Sequence, residues 1–379
     1  IDGVVPMKDP DLSEEFRTIL EWADQIRILK VMANADTPVD AAKAREFGAE
    51  GIGLCRTEHM FMDPVRIPIV QKMILSQTSE ERKEALEELL PMQEKDFYGI
   101  LKAMHGLPVT IRLLDPPLHE FLPNAEELFE EIVMLKVRSD VDSKSVQEEL
   151  ARKRALLKKV RALHETNPML GHRGCRLGIS YPEIYAMQSR AIFNAAARLI
   201  KEGCDVIPYV KIPLVVHYRE LEILRKQTDE IAQEIMKEQG VKIDYKVGTM
   251  IEMPRAALTA DEIAQYADFF SFGTNDLTQT VFGFSRDDAE GKFLPEYLTQ
   301  KILENNPFAV LDREGVGKIM KIGVELGRQV NPKIKIGICG EHGGDPSSIE
   351  FCQLINLDYV SCSPFRVPVA RLSAAQSVL

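Results

Sequence analysis

Short runs of apolar, often β-branched residues recur along this 379-residue chain, separated by longer stretches of helical periodicity. The runs lie at 29–33, 51–54, 109–114, 206–212, 246–251, 269–272, 334–338 and 359–362. They are nearly all apolar, as strands buried on both faces of a parallel sheet are. Between them the apolar positions repeat on one helical face. Ile184, Met187, Ala191 and Ala195 do so over 182–200, after Ser180 and an early proline, and Leu221, Leu224, Ile231 and Ile235 do so in the next segment. Two more helices are expected over 315–330 and 346–355. Eight strands interleaved with helices predict an α/β fold, the (β/α)8 TIM barrel.

Some segments exceed a plain barrel. Residues 79–104 are charged and helical, and 124–166 form a second helix-rich insertion with the basic run ARKRALLKKVR at 151–161. These read as solvated helix faces or as a docking surface. Residues 283–313 look long and irregular, which suits a lid. The whole of 1–379 is expected to form one domain.

Composition narrows the partners. Hydrophobic residues make up 45% and charged residues 28%, a globular mix. The net charge of −11 argues against nucleic acid or an anionic membrane surface. An anionic substrate must therefore be met by local arginines or a metal. No apolar run approaches the ~20 residues of a membrane span. The chain opens IDGVVPMKDP, with neither initiator Met nor leader, as if cut from a longer chain. A cytoplasmic protein is expected, and a plastid or other organelle is compatible. The six cysteines form no C-x-x-C pair, so free thiols in a reducing compartment are expected.

On a barrel, reactive residues belong at the C-terminal ends of the strands. Those ends carry Asn34-Ala35-Asp36, then Cys55-Arg56-Thr57-Glu58-His59, then Arg112 and Asp115. Further on come Pro213, Glu252, Gly273-Thr274-Asn275-Asp276, Cys339-Gly340-Glu341-His342 and Cys362-Ser363. Glu252 and Asp276 end neighbouring strands, so their carboxylates should face one spot. Two hard oxygen ligands suit Mg²⁺ or Mn²⁺; structural ion pairing is the other reading. Arg56 and Arg112 also end adjacent strands and suit a phosphate, or ion pairs with Glu58 and Asp115. Arg173 and Arg176 follow in a Gly-rich turn. Cys339 could be a nucleophile, a proton donor or a buried filler. An ordinary thiol is protonated at neutral pH and can act as an acid, whereas a nucleophile wants a base such as His342 nearby. GIGLCR at 51–56 and GVGK at 315–318 lack the residues of nucleotide-binding loops.

Taken together, several stretches are specific. DFFSFGTNDLTQTVFGFSR (268–286) resembles the signature of the phosphoenolpyruvate-utilising enzymes. GLCRTEHMF (53–61), LDPPLHEFLP (114–123), NPMLGHRGCRLG (167–178), GTMIEMPRAALTAD (248–261) and GICGEHGGDPSS (337–348) resemble the pyruvate, phosphate dikinase branch. The related phosphoenolpyruvate synthase and sugar-transport enzyme I share some of these elements, and a non-catalytic docking or dimerisation module is a further alternative. The resemblance implies a barrel that binds phosphoenolpyruvate or pyruvate and pairs as a homodimer. It implies Mg²⁺ held by Glu252 and Asp276, and substrate gripped by Arg56, Arg112, Gly273, Thr274 and Asn275. It makes Cys339 the acid that protonates the enolate at C3, with Tyr359 near it. The family's phosphohistidine lies in a Thr-Ser-His-like context, which surrounds none of the histidines at 59, 105, 119, 164, 172, 217 and 342. The implied partner is therefore a phosphohistidine domain elsewhere in the full-length enzyme. The stretch VIPYVKIPLVV (206–216) departs from the family pattern PEIMIPLV at Tyr209 and Lys211.

Overall fold

The structure is a computed structural model that describes residues 13–137 and 143–379. The chain start at 1–12, and residues 138–142 of the second insertion, lie outside the described residues. Eight parallel strands close into a barrel in chain order. They are β1 (Lys30–Asn34), β2 (Ile52–Arg56), β3 (Pro108–Arg112), β4 (Ile207–Ile212), β5 (Lys246–Ile251), β6 (Phe269–Phe272), β7 (Lys335–Ile338) and β8 (Tyr359–Cys362). β8 pairs back onto β1, so the (β/α)8 TIM barrel expected from the pattern is the fold present.

The strands alternate between two cores. Val31, Ala33, Val109, Ile111, Val210, Ile212, Ile336 and Ile338 point outward and bury against the ring of helices. The intervening residues point into the barrel. Lys211 on β4 shows this directly, because it bonds Gly53 on β2 and Ser271 on β6, and neither strand is its neighbour.

Two strand ends differ from expectation in a way that matters for the site. β2 runs on to Arg56 instead of stopping at residue 54, and β3 stops at Arg112 instead of 114. Apolar patterning misses the arginine that completes β2, while Leu113 and Leu114 carry the apolar run past the end of β3. Here the two arginines are register partners on adjacent strands.

The helix Ser79–Ala103, expected as an insertion, supplies the crossover from β2 to β3. It buries Leu86, Leu89, Phe97, Ile100 and Leu101 against its neighbours in the ring. Thr78 caps its start by accepting from the amide of Glu81. The helices Ala125–Lys136 and Lys144–Leu163 pack on each other outside the ring, burying Leu128, Ile132, Leu150 and Leu157. Residues 283–313 are more ordered than the sequence suggests. Two short helices, Arg286–Lys292 and Leu294–Thr299, form there around a small core of Ala289, Leu294 and Phe308, backed by Phe284, Phe293 and Tyr297. Charged residues and helices of barely two turns hide that periodicity.

All six cysteines are free, and among the described residues no helix is long and apolar enough to cross a membrane.

Candidate active site

A cavity of about 950 Å³ opens at the C-terminal end of the barrel. Arg56, Arg112, Glu252, Gly273, Asn275, Asp276 and Cys339 all line it, and Arg173 joins them. Thr274 does not line it. That residue is fully buried, with its hydroxyl turned away toward His342.

The arginines are fixed from behind by carboxylates. Arg112 is 8% exposed and is held by Glu58 and, at 2.8 Å, by Asp115. Asp115 also takes Arg173 at 2.7 Å. Burial alone would raise the Asp115 carboxyl, but the two arginines more than offset it and hold it below the usual range. Arg56 pairs not with Glu58, as spacing suggested, but with Asp36. Its Nη2 lies 3.0 Å from Asp36 Oδ2, and its backbone amide donates to Oδ1 at 2.6 Å. His59 adds a bond to the same carboxylate at 2.7 Å. The Nε donors of Arg112 and Arg173 remain buried without a partner. Orphaned donors of this kind ordinarily mark a missing acceptor.

The carboxylates show the complementary shortage. Glu252 is fully buried; Oε1 accepts from the amide of Leu214 at 2.7 Å, whereas Oε2 has no partner. Leu214 holds a left-handed backbone with φ 62°, at a cost of about 1–3 kcal/mol, while its amide serves Glu252. Burial, followed by repulsion from Asp276 and Asp115, pushes the Glu252 carboxyl well above the usual range. Burial also raises Asp276, against the pull of Arg173 at 3.4 Å. Two buried, under-compensated carboxylates could hold a hard divalent cation. Among the described residues no group of three or more His, Cys, Asp or Glu could hold a metal. The remaining ligands would have to be water and substrate oxygens, the usual manner of Mg²⁺. Gly273 makes room for this: a Cβ there would sit 2.4 Å from Glu252 Oε2.

Cys339 follows β7 and is 2% exposed. Its amide donates to Phe272 O at 3.1 Å, its carbonyl accepts from Asn34 Nδ2 at 3.1 Å, and its side chain packs with Leu54 and Met250. His342 is not its partner. His342 Nε2 faces the Pro307 carbonyl at 2.9 Å, which can only accept, so that nitrogen carries the proton. Nδ1 of the neutral ring then accepts from the Thr274 hydroxyl at 2.7 Å. Burial holds His342 below the ordinary histidine range, which favours that neutral form. A Cys–His nucleophilic pair is thereby excluded.

The family model for the PEP-utilising enzyme, PEP-binding domain, matches residues 10–379. The chain belongs to the PEP-utilising enzymes. It is 56% identical over 377 residues to a pyruvate, phosphate dikinase of Entamoeba histolytica, covering 99% of this chain and 42% of that protein. A pyruvate, phosphate dikinase of Rhizobium meliloti is 54% identical over 100% of this chain and 41% of its own length. A chloroplastic one of Mesembryanthemum crystallinum is 56% identical over 99% and 38%. The chain therefore spans about two fifths of the length of these relatives.

In this PEP-binding domain the sequence reading missed or under-weighted several residues. Arg173 was visible as one of two arginines in a Gly-rich turn; Arg176 instead bonds the carbonyls of Leu170 and Gly171. Asp36 and Asn34 were visible only as polar residues at the end of β1. Met250 packs against Cys339 and Lys211 bonds Gly53 and Ser271 inside the barrel, but nothing in sequence marks these contacts.

Proposed function

We propose that this domain interconverts pyruvate and phosphoenolpyruvate by Mg²⁺-dependent phosphoryl transfer. The phosphoryl group moves between the enolate oxygen and a phosphohistidine on another domain of the full-length enzyme. The observation that carries this reading is the convergence of Arg56, Arg112, Glu252, Asp276 and Cys339, from five different strand ends, on one cavity.

The orphaned guanidinium donors of Arg112 and Arg173 suit the oxygens of a phosphoryl or carboxylate group. Asp36, Glu58 and Asp115 keep the arginines from rearranging when charge builds on those oxygens. Glu252 and Asp276 would hold Mg²⁺, which when bound stabilises negative charge on enolate and phosphoryl oxygens. On transfer to histidine, the bond from phosphorus to the enolate oxygen breaks and a bond to nitrogen forms. Cys339 then gives its proton to C3 and retains the electron pair as thiolate. In the reverse direction that thiolate removes a methyl proton from pyruvate. The ATP-dependent steps would belong to the parts of such an enzyme outside the matched region. Pairing as a homodimer belongs to the same reading, and sedimentation equilibrium tests it.

The decisive test is Mg²⁺-dependent exchange of pyruvate methyl protons with solvent deuterium, followed by NMR. Wild type should exchange; Cys339→Ala should bind pyruvate with Mg²⁺ yet exchange nothing. If wild type binds neither pyruvate nor phosphoenolpyruvate in the presence of Mg²⁺, the proposal fails.

A further inference from the structure

β2 departs from strict alternation at the site. Its Ile52 pairs with Ala33 and its Leu54 with Asn34 on β1, while Ile52 pairs with Val109 and Cys55 with Ile111 on β3. Over that stretch β2 carries one residue more than either neighbour, the mark of a β-bulge. Ile52 and Cys55 bury in the outer core, and the two residues between them both face inward. A Cβ on Gly53 would lie 2.4 Å from Ser361 Oγ inside the barrel. Leu54 packs with Met250 of β5 and with Cys339, apart from the main core, and all three line the cavity. Regular alternation would have sent Leu54 outward with Ile52. The wall that the bulge completes is apolar, in a cavity otherwise rich in charge. It also stands beside the charged part, since Met250 Sδ lies 3.9 Å from Arg112 Nη1.

We infer that Leu54 and Met250 are specificity-determining residues: with Cys339 they form an apolar niche that takes the methyl group of a 2-oxo acid and rejects a longer chain at C3. The inference rests on the role proposed for Cys339, because a thiol that exchanges a proton with C3 must reach that carbon. Whatever else C3 carries then lies against the side chains that pack with the sulfur. A methyl group meets only apolar surface there, while the oxygens of the same molecule face the arginines. One carbon more must push Leu54 or Met250 aside, and these side chains are only 6% and 3% exposed. A misfit of one methylene in an apolar pocket is worth roughly tenfold to two-hundredfold in discrimination. Phe308 and Met62 also border the cavity, but Phe308 packs in a separate small core and Met62 is 44% exposed.

The test compares pyruvate with 2-oxobutyrate, which differs by one carbon on C3. Dissociation constants are measured by titration calorimetry with Mg²⁺ present, and exchange of the C3 protons is followed by NMR. Wild type should bind pyruvate at least about tenfold more tightly than 2-oxobutyrate. Leu54→Ala and Met250→Ala should each erase most of that preference, chiefly by binding 2-oxobutyrate better. Thermal melting confirms that each variant is folded. Leu54→Val, one carbon smaller and suited to a strand, carries the test if Leu54→Ala is not. Met62→Ala should keep the wild-type preference. A wild type that binds the two acids alike, folded Leu54 and Met250 variants with undiminished preference, or an equal loss in Met62→Ala overturns the inference. Discrimination that behaves as expected without any proton exchange in wild type would leave the niche standing and remove the proposed reaction instead. A wild type that binds neither acid removes both.

Discussion

Glu252 and Gly273 show how far the site depends on single atoms. One carboxylate oxygen of Glu252 takes an amide proton, and the other is buried with nothing to bond. Gly273 is glycine because of that second oxygen. Its φ is −88°, an angle any residue adopts, so the constraint is space and not backbone. A Cβ would lie 2.4 Å from Glu252 Oε2 and 2.5 Å from Met250 Cε, closer than real Cβ contacts come. Gly273→Ala should therefore swing the carboxylate out of the cavity. Mg²⁺-dependent proton exchange is expected to fall about a hundredfold. The melting temperature should fall as well, because the new Cβ would also lie 2.9 Å from Glu252 Cβ, which cannot swing aside as the Met250 side chain can. Retained exchange would show that Glu252 does not need its present position.

At the scale of elements, His342 ties together three pieces of chain. It sits in the short turn Glu341–Gly344, bonds Thr274 at the start of the helix Thr274–Phe282, and bonds Pro307 beside the small core of Phe308. The segment over the cavity is thus latched to the strand ends of β6 and β7. Losing both bonds in a buried place should cost about 1–3 kcal/mol. His342→Ala should accordingly raise hydrogen exchange at the amides of Phe308 and Val310, while the helix Tyr218–Gln239 stays protected. The latch also has a pH dependence. Burial lowers the folded-state value of His342 below the ordinary 6.5, so below that pH the unfolded chain binds the extra proton first. The stabilisation is complete above about pH 6.5 and is lost as pH falls through the lower, folded value. Denaturation of wild type from neutral to mildly acidic pH should show this loss, and His342→Ala should lack that part of the slope.

Across the whole molecule, the cavity gathers residues from every quarter of the chain, and its charges are balanced only in part. Single carboxylate oxygens of Glu58, Asp115 and Glu252 lack partners, and so do the Nε donors of Arg112 and Arg173. A cation with an anionic substrate would satisfy both sets together, whereas either alone leaves the other uncompensated. Melting temperatures should therefore rise more with Mg²⁺ plus phosphoenolpyruvate than the sum of the separate shifts. Ligand at a hundredfold excess over its Kd contributes about 2.7 kcal/mol. Purely additive shifts would sink this coupling.

The eight strands and their order were legible in the sequence because each is a short apolar run, and apolar period is a local property. The site's address was legible too, since a parallel barrel puts every strand end on one face. From that address Arg56, Arg112, Glu252, Asp276 and Cys339 could be named without coordinates. Local pattern could not supply partners. Asp36 holding Arg56, Arg173 reaching Asp276, His342 turning from Cys339 toward Thr274, and Lys211 crossing the barrel to Gly53 and Ser271 all join residues far apart in sequence. Those pairings are set by strand tilt, register and side-chain direction once the barrel has closed. The sequence by itself determined which residues stand at the mouth. Tertiary structure alone decided which of them touch, because contact across a barrel depends on geometry that no run of neighbouring residues encodes.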